Sequence, residues 1–230
     1  MNVLMISSSR YNGGEYLEYS KEWITEHIGE ATEILFIPYA GVTVSWDGYT
    51  QMVQEALPAF KVTGIHQTPD AKVAINKAQA ILVGGGNTFH LLHTLYALEL
   101  IPLITARVEQ GMPYMGWSAG ANICGLTICT TNDMPIIQPK SFESFAFVKA
   151  QLNPHYTDFV AANFHGETRD QRIAEFCMLN PTTPVIGIRE GSALLLRNNK
   201  LSLLGDLPAV AFESHNKLTI APTQDLSEYL

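Results

Sequence analysis

The chain has 230 residues, 47% of them hydrophobic, and carries 22 acids against 14 bases, a formal charge of −8. That length and apolar fraction suit one folded domain, residues 1–230, and exclude a disordered chain. The acidic balance argues against a nucleic-acid partner, which needs clustered Lys and Arg, and means that a site for an anionic ligand must hold its own cation.

NVLMIS (2–7) is a short apolar run followed by a polar loop, which suits a buried parallel strand rather than a secretory signal, since no basic flank precedes it. Residues 15–28 read as a helix, with Leu17, Ser20, Ile24 and Ile28 on one face. EILFIP (33–38) is a second buried strand. Residues 47–60 have helical spacing, and KVTGIH (61–66) is a third strand. A short helix near 70–78 leads into QAILVGGG (79–86), a fourth strand. Helices follow at 87–98 and 101–110, the second tolerating Pro102 in its first turn. PYMGW (113–117) is a fifth strand, and a helix starts at Ala119. Strand and helix alternate through the first 125 residues, the pattern of a parallel sheet with helices on both faces. Residues 127–166 read as irregular. Thr168 and Gln171 have capping-box spacing at the start of a helix to about 179. After the apolar run 183–188, SALLLRNNKLSLLG (192–205) and AVAFESHNKLTIA (209–221) read as β-hairpins.

The three cysteines, Cys124, Cys129 and Cys177, form no CxxC pair, so reduced thiols in a cytoplasmic protein are expected. No apolar run approaches the ~18 residues of a membrane span, so no membrane partner is expected.

Ser118 stands in Gly116-Trp117-Ser118-Ala119-Gly120, a G-x-S-x-G pattern between a strand and a helix. A sharp strand-to-helix turn brings the residues two before and two after the serine together, so both must be small. It lifts the hydroxyl off the sheet edge and aims the next N–H, that of Ala119, at the reacting centre. A serine hydroxyl needs a base. Among seven histidines, His90 and His93 lie three apart on a helix, without a third metal ligand at a telling spacing. His27, His66 and His215 fall in helix, strand and turn contexts. His155, in the stiff Asn153-Pro154-His155, is preferred as the base, with His165 as its rival. Two carboxylates could orient it: Asp133, in the order Ser, Asp, His, and Glu190, after the strand 183–188. Either could instead be structural, Asp133 tying a loop and Glu190 pairing with Arg189. The loop Gly84-Gly85-Gly86 lacks the third glycine of a dinucleotide fingerprint and the lysine of a P-loop. It reads as a second oxyanion donor or as a plain tight turn.

Seven blocks, GVT-x-x-WD-x-YT (41–50), VGGGNTF (83–89), GWSAGAN (116–122), TTNDMPI (130–136), NPH (153–155), GETR-x-QRI (166–173) and VIG-x-x-EG (185–191), closely resemble the peptidase E family. The resemblance runs in order from about residue 33 to 191, and the last 35 or so residues match poorly. It implies an α/β fold like that of the class I glutamine amidotransferases, with a mostly parallel sheet flanked by helices and a C-terminal β-hairpin region. It implies a cytoplasmic serine peptidase that cleaves Asp-Xaa dipeptides with no metal or cofactor. Ser118 would be the nucleophile and His155 the base, with Asp133 and Glu190 both plausible as the third member. Gly86 and Ala119 would supply oxyanion N–H groups, and Arg169 would hold the substrate's aspartate side chain. That cation is what the negative net charge asks for, and a guanidinium suits a carboxylate. Arg169 could instead pair with Glu167 or Asp170. His165 stands where the family pattern leads one to expect lysine. Two other readings are a cyanophycinase-like β-aspartyl peptidase and a non-catalytic ligand-binding relative. A serine at the elbow disfavours a glutamine amidotransferase. The sequence leaves the oligomeric state open.

Overall fold

Short apolar runs bounded by turn residues form strands that are buried on both faces. A computed structural model describes residues 1–214 and 216–230; His215, expected in a turn, lies outside the described residues. The first five strands are β1 (Asn2–Ile6), β2 (Glu33–Ile37), β3 (Lys61–Gly64), β4 (Ile81–Val83) and β5 (Tyr114–Trp117). Then come β6 (Gln151–Tyr156), β7 (Val185–Arg189), β8 (Ala193–Arg197), β9 (Lys200–Leu204), β10 (Ala209–Glu213) and β11 (Asn216–Ile220). The helices are α1 (Lys21–Ile28), α2 (Trp46–Ala56), α3 (Ala71–Lys77), α4 (Thr88–Ala97), α5 (Ile101–Glu109), α6 (Ala119–Asn122) and α7 (Arg169–Leu179).

Among the described residues the strands make two sheets, in the orders β3-β2-β4-β5-β1-β8-β9 and β11-β10-β7-β6. β1 to β5 are parallel, and β8 and β9 extend them antiparallel. In the second sheet β6 and β7 are parallel, and β10 and β11 run antiparallel. Residues alternate between two cores. Val3, Met5, Ile37, Val83 and Tyr114 face the side that α3, α4 and α5 cover. Leu4, Ile6, Phe36, Leu82 and Trp117 face the side that α1 and α2 cover. Each such buried side chain contributes about 1.5–3 kcal/mol of transfer free energy. Polar side chains set several helix starts: Ser45, Asp70 and Asn87 accept N–H groups of the first turns of α2, α3 and α4. Thr168 and Gln171 form the expected capping box of α7.

Several expectations are corrected. The helix expected over 15–28 begins as an α-helix only at Lys21, because Leu17 takes a left-handed conformation (φ 58°) that buries its side chain completely. The helix expected over 47–60 ends at Ala56. The strand expected over 61–66 stops at Gly64, whose N–H the Gln67 side chain takes up, and His66 lies in a 3₁₀ turn. The helix after Ala119 is a single turn. The stretch 127–166 is not wholly irregular, since it contains β6. The two C-terminal strand pairs expected as hairpins are both present, and β8–β9 widens the first sheet while β10–β11 widens the second. The β8–β9 turn is made by Asn198 and Asn199, both at positive φ (52° and 58°), as a tight hairpin turn requires.

His27 sits in α1, 2% exposed. Its Nε2–H donates to the Tyr114 carbonyl at 3.0 Å, and Nδ1 has no partner, so protonation would bury an unpaired N–H. Burial lowers its pKa to about 4. The unfolded chain then takes the proton more readily, so acid favours unfolding. The stabilisation from a neutral His27 is complete above about pH 6.5 and is lost as pH falls toward 4, on the order of 3 kcal/mol. Urea midpoints should therefore drop between pH 7 and pH 4.5. His27→Gln, which keeps a donor and cannot titrate, should flatten that slope, and an unchanged slope would contradict this account.

Candidate active site

The elbow follows from crowding at the end of β5. Ser118 has φ 54° and ψ −113°, a strained conformation for a residue with a side chain. A Cβ on Gly116 would collide with the Gly120 carbonyl, and one on Gly120 with the Val83 carbonyl at the end of β4. Both positions therefore need glycine. The Ser118 N–H donates to the Ile6 carbonyl at 3.1 Å, and its carbonyl accepts the N–H groups of Ala121 and Asn122. The serine is thus locked between β1 and α6. Gly86 is at φ 135°, its α-carbon packed where a Cβ would strike the Ala40 carbonyl. Among the described residues the N–H groups of Gly86 and Ala119 donate to no protein acceptor. Tyr49 from α2 holds the glycine loop, its hydroxyl donating to the Gly85 carbonyl at 3.0 Å.

His155 comes from the second sheet. It lies at a break in the register of β6 against β7, between Asn153 and Tyr156, with φ 54°. Ser7, fully buried just past β1, fixes this bulge: its hydroxyl donates to the Ile188 carbonyl at 2.7 Å and accepts the His155 N–H at 2.9 Å. The ring then spans two partners. Nε2 lies 2.9 Å from Ser118 Oγ, and Nδ1 lies 2.6 Å from Glu190 Oε1. An ionised carboxylate only accepts, so the ring proton belongs on Nδ1, which leaves the Nε2 lone pair for the serine hydroxyl. Ser118 leaves the first sheet, while His155 and Glu190 come from the ends of the parallel pair β6 and β7. All three thus lie at carboxyl ends of parallel strands, where open α/β sheets bind ligands.

The other candidates are distributed around this line. Asp133 does not reach His155, whose ring nitrogens both have other partners. Its Oδ2 accepts the Thr88 N–H at 2.7 Å and the Thr88 hydroxyl at 2.6 Å, at the start of α4. Glu190 does not pair with Arg189, which forms a two-pronged ion pair with Asp158 at 2.8 Å in each arm and so holds that carboxyl down to about pKa 2. Arg169 pairs with neither acid beside it: Glu167 faces Arg172, and Asp170 takes Lys217 at 2.7 Å. Among the described residues Arg169 has no ion pair. Burial, and then the Arg172 charge, lower its pKa. His165 is exposed, and the serine hydroxyl's partner is His155. His90 and His93 bond the carbonyls of Tyr39 and Gln138, and among the described residues no cluster of three metal-ligating side chains occurs.

Two spaces flank Ser118 and His155. A cleft of about 600 Å³ is walled mainly by apolar and aromatic groups, among them Tyr16, Val44, Tyr49, Met52 and Ile136. A polar cavity of about 120 Å³ is lined by Ala119, Asn122, Asp133 and Arg169 as well as the Ser–His pair.

Residues 3–204 match peptidase family S51. The chain belongs to that family. A peptidase E of Shewanella amazonensis is 50% identical to it over 235 residues, covering the whole of both chains. A peptidase E of Shewanella sp. (strain ANA-3) is 48% identical over 233 residues, covering 100% of this chain and 99% of its own. The crystal structure of a peptidase from an acI-B1 Actinobacterium has the same fold, with a TM-score of 0.73 at 19% identity, covering 98% of this chain and 96% of its own. As an S51 member the chain is a serine peptidase, a hydrolase of peptides. Sequence reasoning passed over Ser7, Tyr49 and Asn122 as parts of this candidate site. Ser7 left a faint signal, a polar residue closing a buried strand.

Proposed function

We propose that this serine dipeptidase cleaves Asp-Xaa dipeptides, with Ser118 as nucleophile, His155 as general base and then acid, and Glu190 as the carboxylate that orients His155. The observation that carries this reading is the line Ser118–His155–Glu190, at 2.9 and 2.6 Å, with Arg169, which has no ion pair among the described residues, lining the polar cavity beside Ser118 and His155. His155 takes the hydroxyl proton as Ser118 attacks the carbonyl of the N-terminal residue. The charge that forms on the carbonyl oxygen is met by the N–H groups of Gly86 and Ala119. The imidazolium, facing Glu190, returns its proton to the leaving amine, and water then attacks the acyl-enzyme by the same route. The leaving residue occupies the larger, apolar cleft.

Arg169 supports the choice of aspartate. A half-buried guanidinium with no carboxylate of its own gains most from a substrate carboxylate placed against its fork. Arg169→Ala should lower kcat/KM for Asp-Leu by about 10- to 100-fold, the worth of a charged hydrogen-bonded pair, and change Ala-Leu little. A panel of dipeptides with and without N-terminal aspartate checks this. Equal hydrolysis of Asp-Leu and Ala-Leu by the unaltered protein would refute the substrate assignment.

The nucleophile and its base come from different sheets, so we treat residues 1–230 as one working domain. Three free cysteines, one of them exposed, fit a reducing compartment, and we place the enzyme in the cytoplasm, which fractionation of cells tests.

A further inference from the structure

We propose that Asp133 binds the N-terminal ammonium group of the substrate. This deepens the Asp-Xaa reading above and rests on it. The two oxygens of this carboxylate have unequal surroundings. Oδ2 accepts three hydrogen bonds, from the Thr88 N–H (2.7 Å), the Thr88 hydroxyl (2.6 Å) and the Thr131 hydroxyl (3.2 Å). Among the described residues Oδ1 accepts none. The three donors therefore fix the side chain, and one oxygen is left with unspent acceptor capacity. Asp133 lines both the polar cavity and the larger cleft, each of which also contains Ser118 and His155.

The charges around the small cavity explain what that oxygen is for. Arg169 is the one Lys or Arg among the residues lining either space, and it forms no ion pair with Asp133. The cavity therefore presents one anion and one cation that, among the described residues, form no ion pair with each other. An N-terminal aspartyl residue carries the matching set, an ammonium and a side-chain carboxylate on adjacent carbons. Placing the carboxylate on Arg169 leaves the ammonium to Asp133. The consequence is a site that measures one residue from a free N-terminus. An internal aspartate would present a neutral amide to Asp133 and lose the charged contact, which limits the enzyme to N-terminal residues.

The test compares Asp-Leu with succinyl-leucine, the same molecule without its ammonium, on the whole protein and on Asp133→Asn. Labelling by a fluorophosphonate, which bears no ammonium, is followed in parallel. The unaltered protein should prefer Asp-Leu by about 100-fold or more in kcat/KM. Asp133→Asn should shrink that preference to about 10-fold or less through loss of Asp-Leu hydrolysis alone, with labelling retained. A preference that persists in Asp133→Asn overturns the ammonium site and leaves the Asp-Xaa reading standing. Labelling that falls together with Asp-Leu hydrolysis also overturns it, because Asp133 would then serve the Ser–His pair or the fold. Failure of the unaltered protein to cleave Asp-Leu refutes both readings. A measurement on the unaltered protein covers the case of a variant that does not fold: aspartate should inhibit at least about 10-fold more tightly than succinate, and equal inhibition overturns the proposal.

Discussion

Ser118→Ala should lower kcat/KM for Asp-Xaa dipeptides by about 10⁴- to 10⁶-fold and leave the urea midpoint close to that of the unaltered protein. The size follows from what one oxygen does at this position. Without Oγ no acyl-enzyme can form, and water would have to attack directly with the remaining help of the Gly86 and Ala119 N–H groups. Residual turnover from such donors and from binding alone is typically about 10³–10⁴ above the uncatalysed reaction, so the variant should be slow but measurable. The backbone should tolerate the change, because alanine meets the same φ of 54° and the same close approach of Gly116 to Gly120. His155→Ala should cost a similar factor, and the double variant should cost little more than either alone, because the two side chains act as one unit. Initial rates on Asp-Leu measured at high enzyme concentration would decide it. Retention of a tenth or more of the activity in Ser118→Ala would remove the nucleophile assignment.

The parts of the molecule that were legible beforehand are those where a local physical demand leaves a local pattern. The five parallel strands are legible because burial on both faces demands continuous apolar runs such as VLMI and ILFI. The elbow geometry is legible because its steric demand falls on two residues at fixed offsets from the serine. The start of α7 is legible because a capping box needs only residues three apart. What was hidden depends on residues far apart in the chain. β6 escapes notice because Pro154 removes a ladder donor and His155 bulges at positive φ, which breaks the alternation a strand would show. That bulge exists because Ser7, 148 residues earlier, accepts the His155 N–H. Leu17 delays the start of α1 for a core position no window of neighbours reveals. The choice between Asp133 and Glu190 has the same character. Both stand in suggestive loops, and only the pairing of β6 with β7 brings one of them to the imidazole.

Glu190→Gln tests that choice and should lower kcat by about 10²- to 10³-fold with KM for Asp-Xaa nearly unchanged. A buried aspartate in this role is worth about 10⁴. Here the side chains of His155 and Glu190 are 37% and 52% exposed, so water screens part of the charge that the carboxylate offers the imidazolium. What survives screening is the tautomer. The glutamate accepts from Nδ1–H at 2.6 Å and keeps Nε2 unprotonated toward Ser118. A glutamine can turn its NH₂ toward Nδ1 instead, which moves the ring proton to Nε2, where it can no longer receive the serine's proton. Because this loss precedes any contact with substrate charge, fluorophosphonate labelling of Ser118 should slow by the same factor as kcat. Asp133→Asn should separate from it on both measures, acting on substrates with a free ammonium and sparing the labelling. If Glu190→Gln labels at the unaltered rate and Asp133→Asn does not, the orienting carboxylate is Asp133. The 2.6 Å contact at Glu190 would then be an exposed hydrogen bond of little consequence.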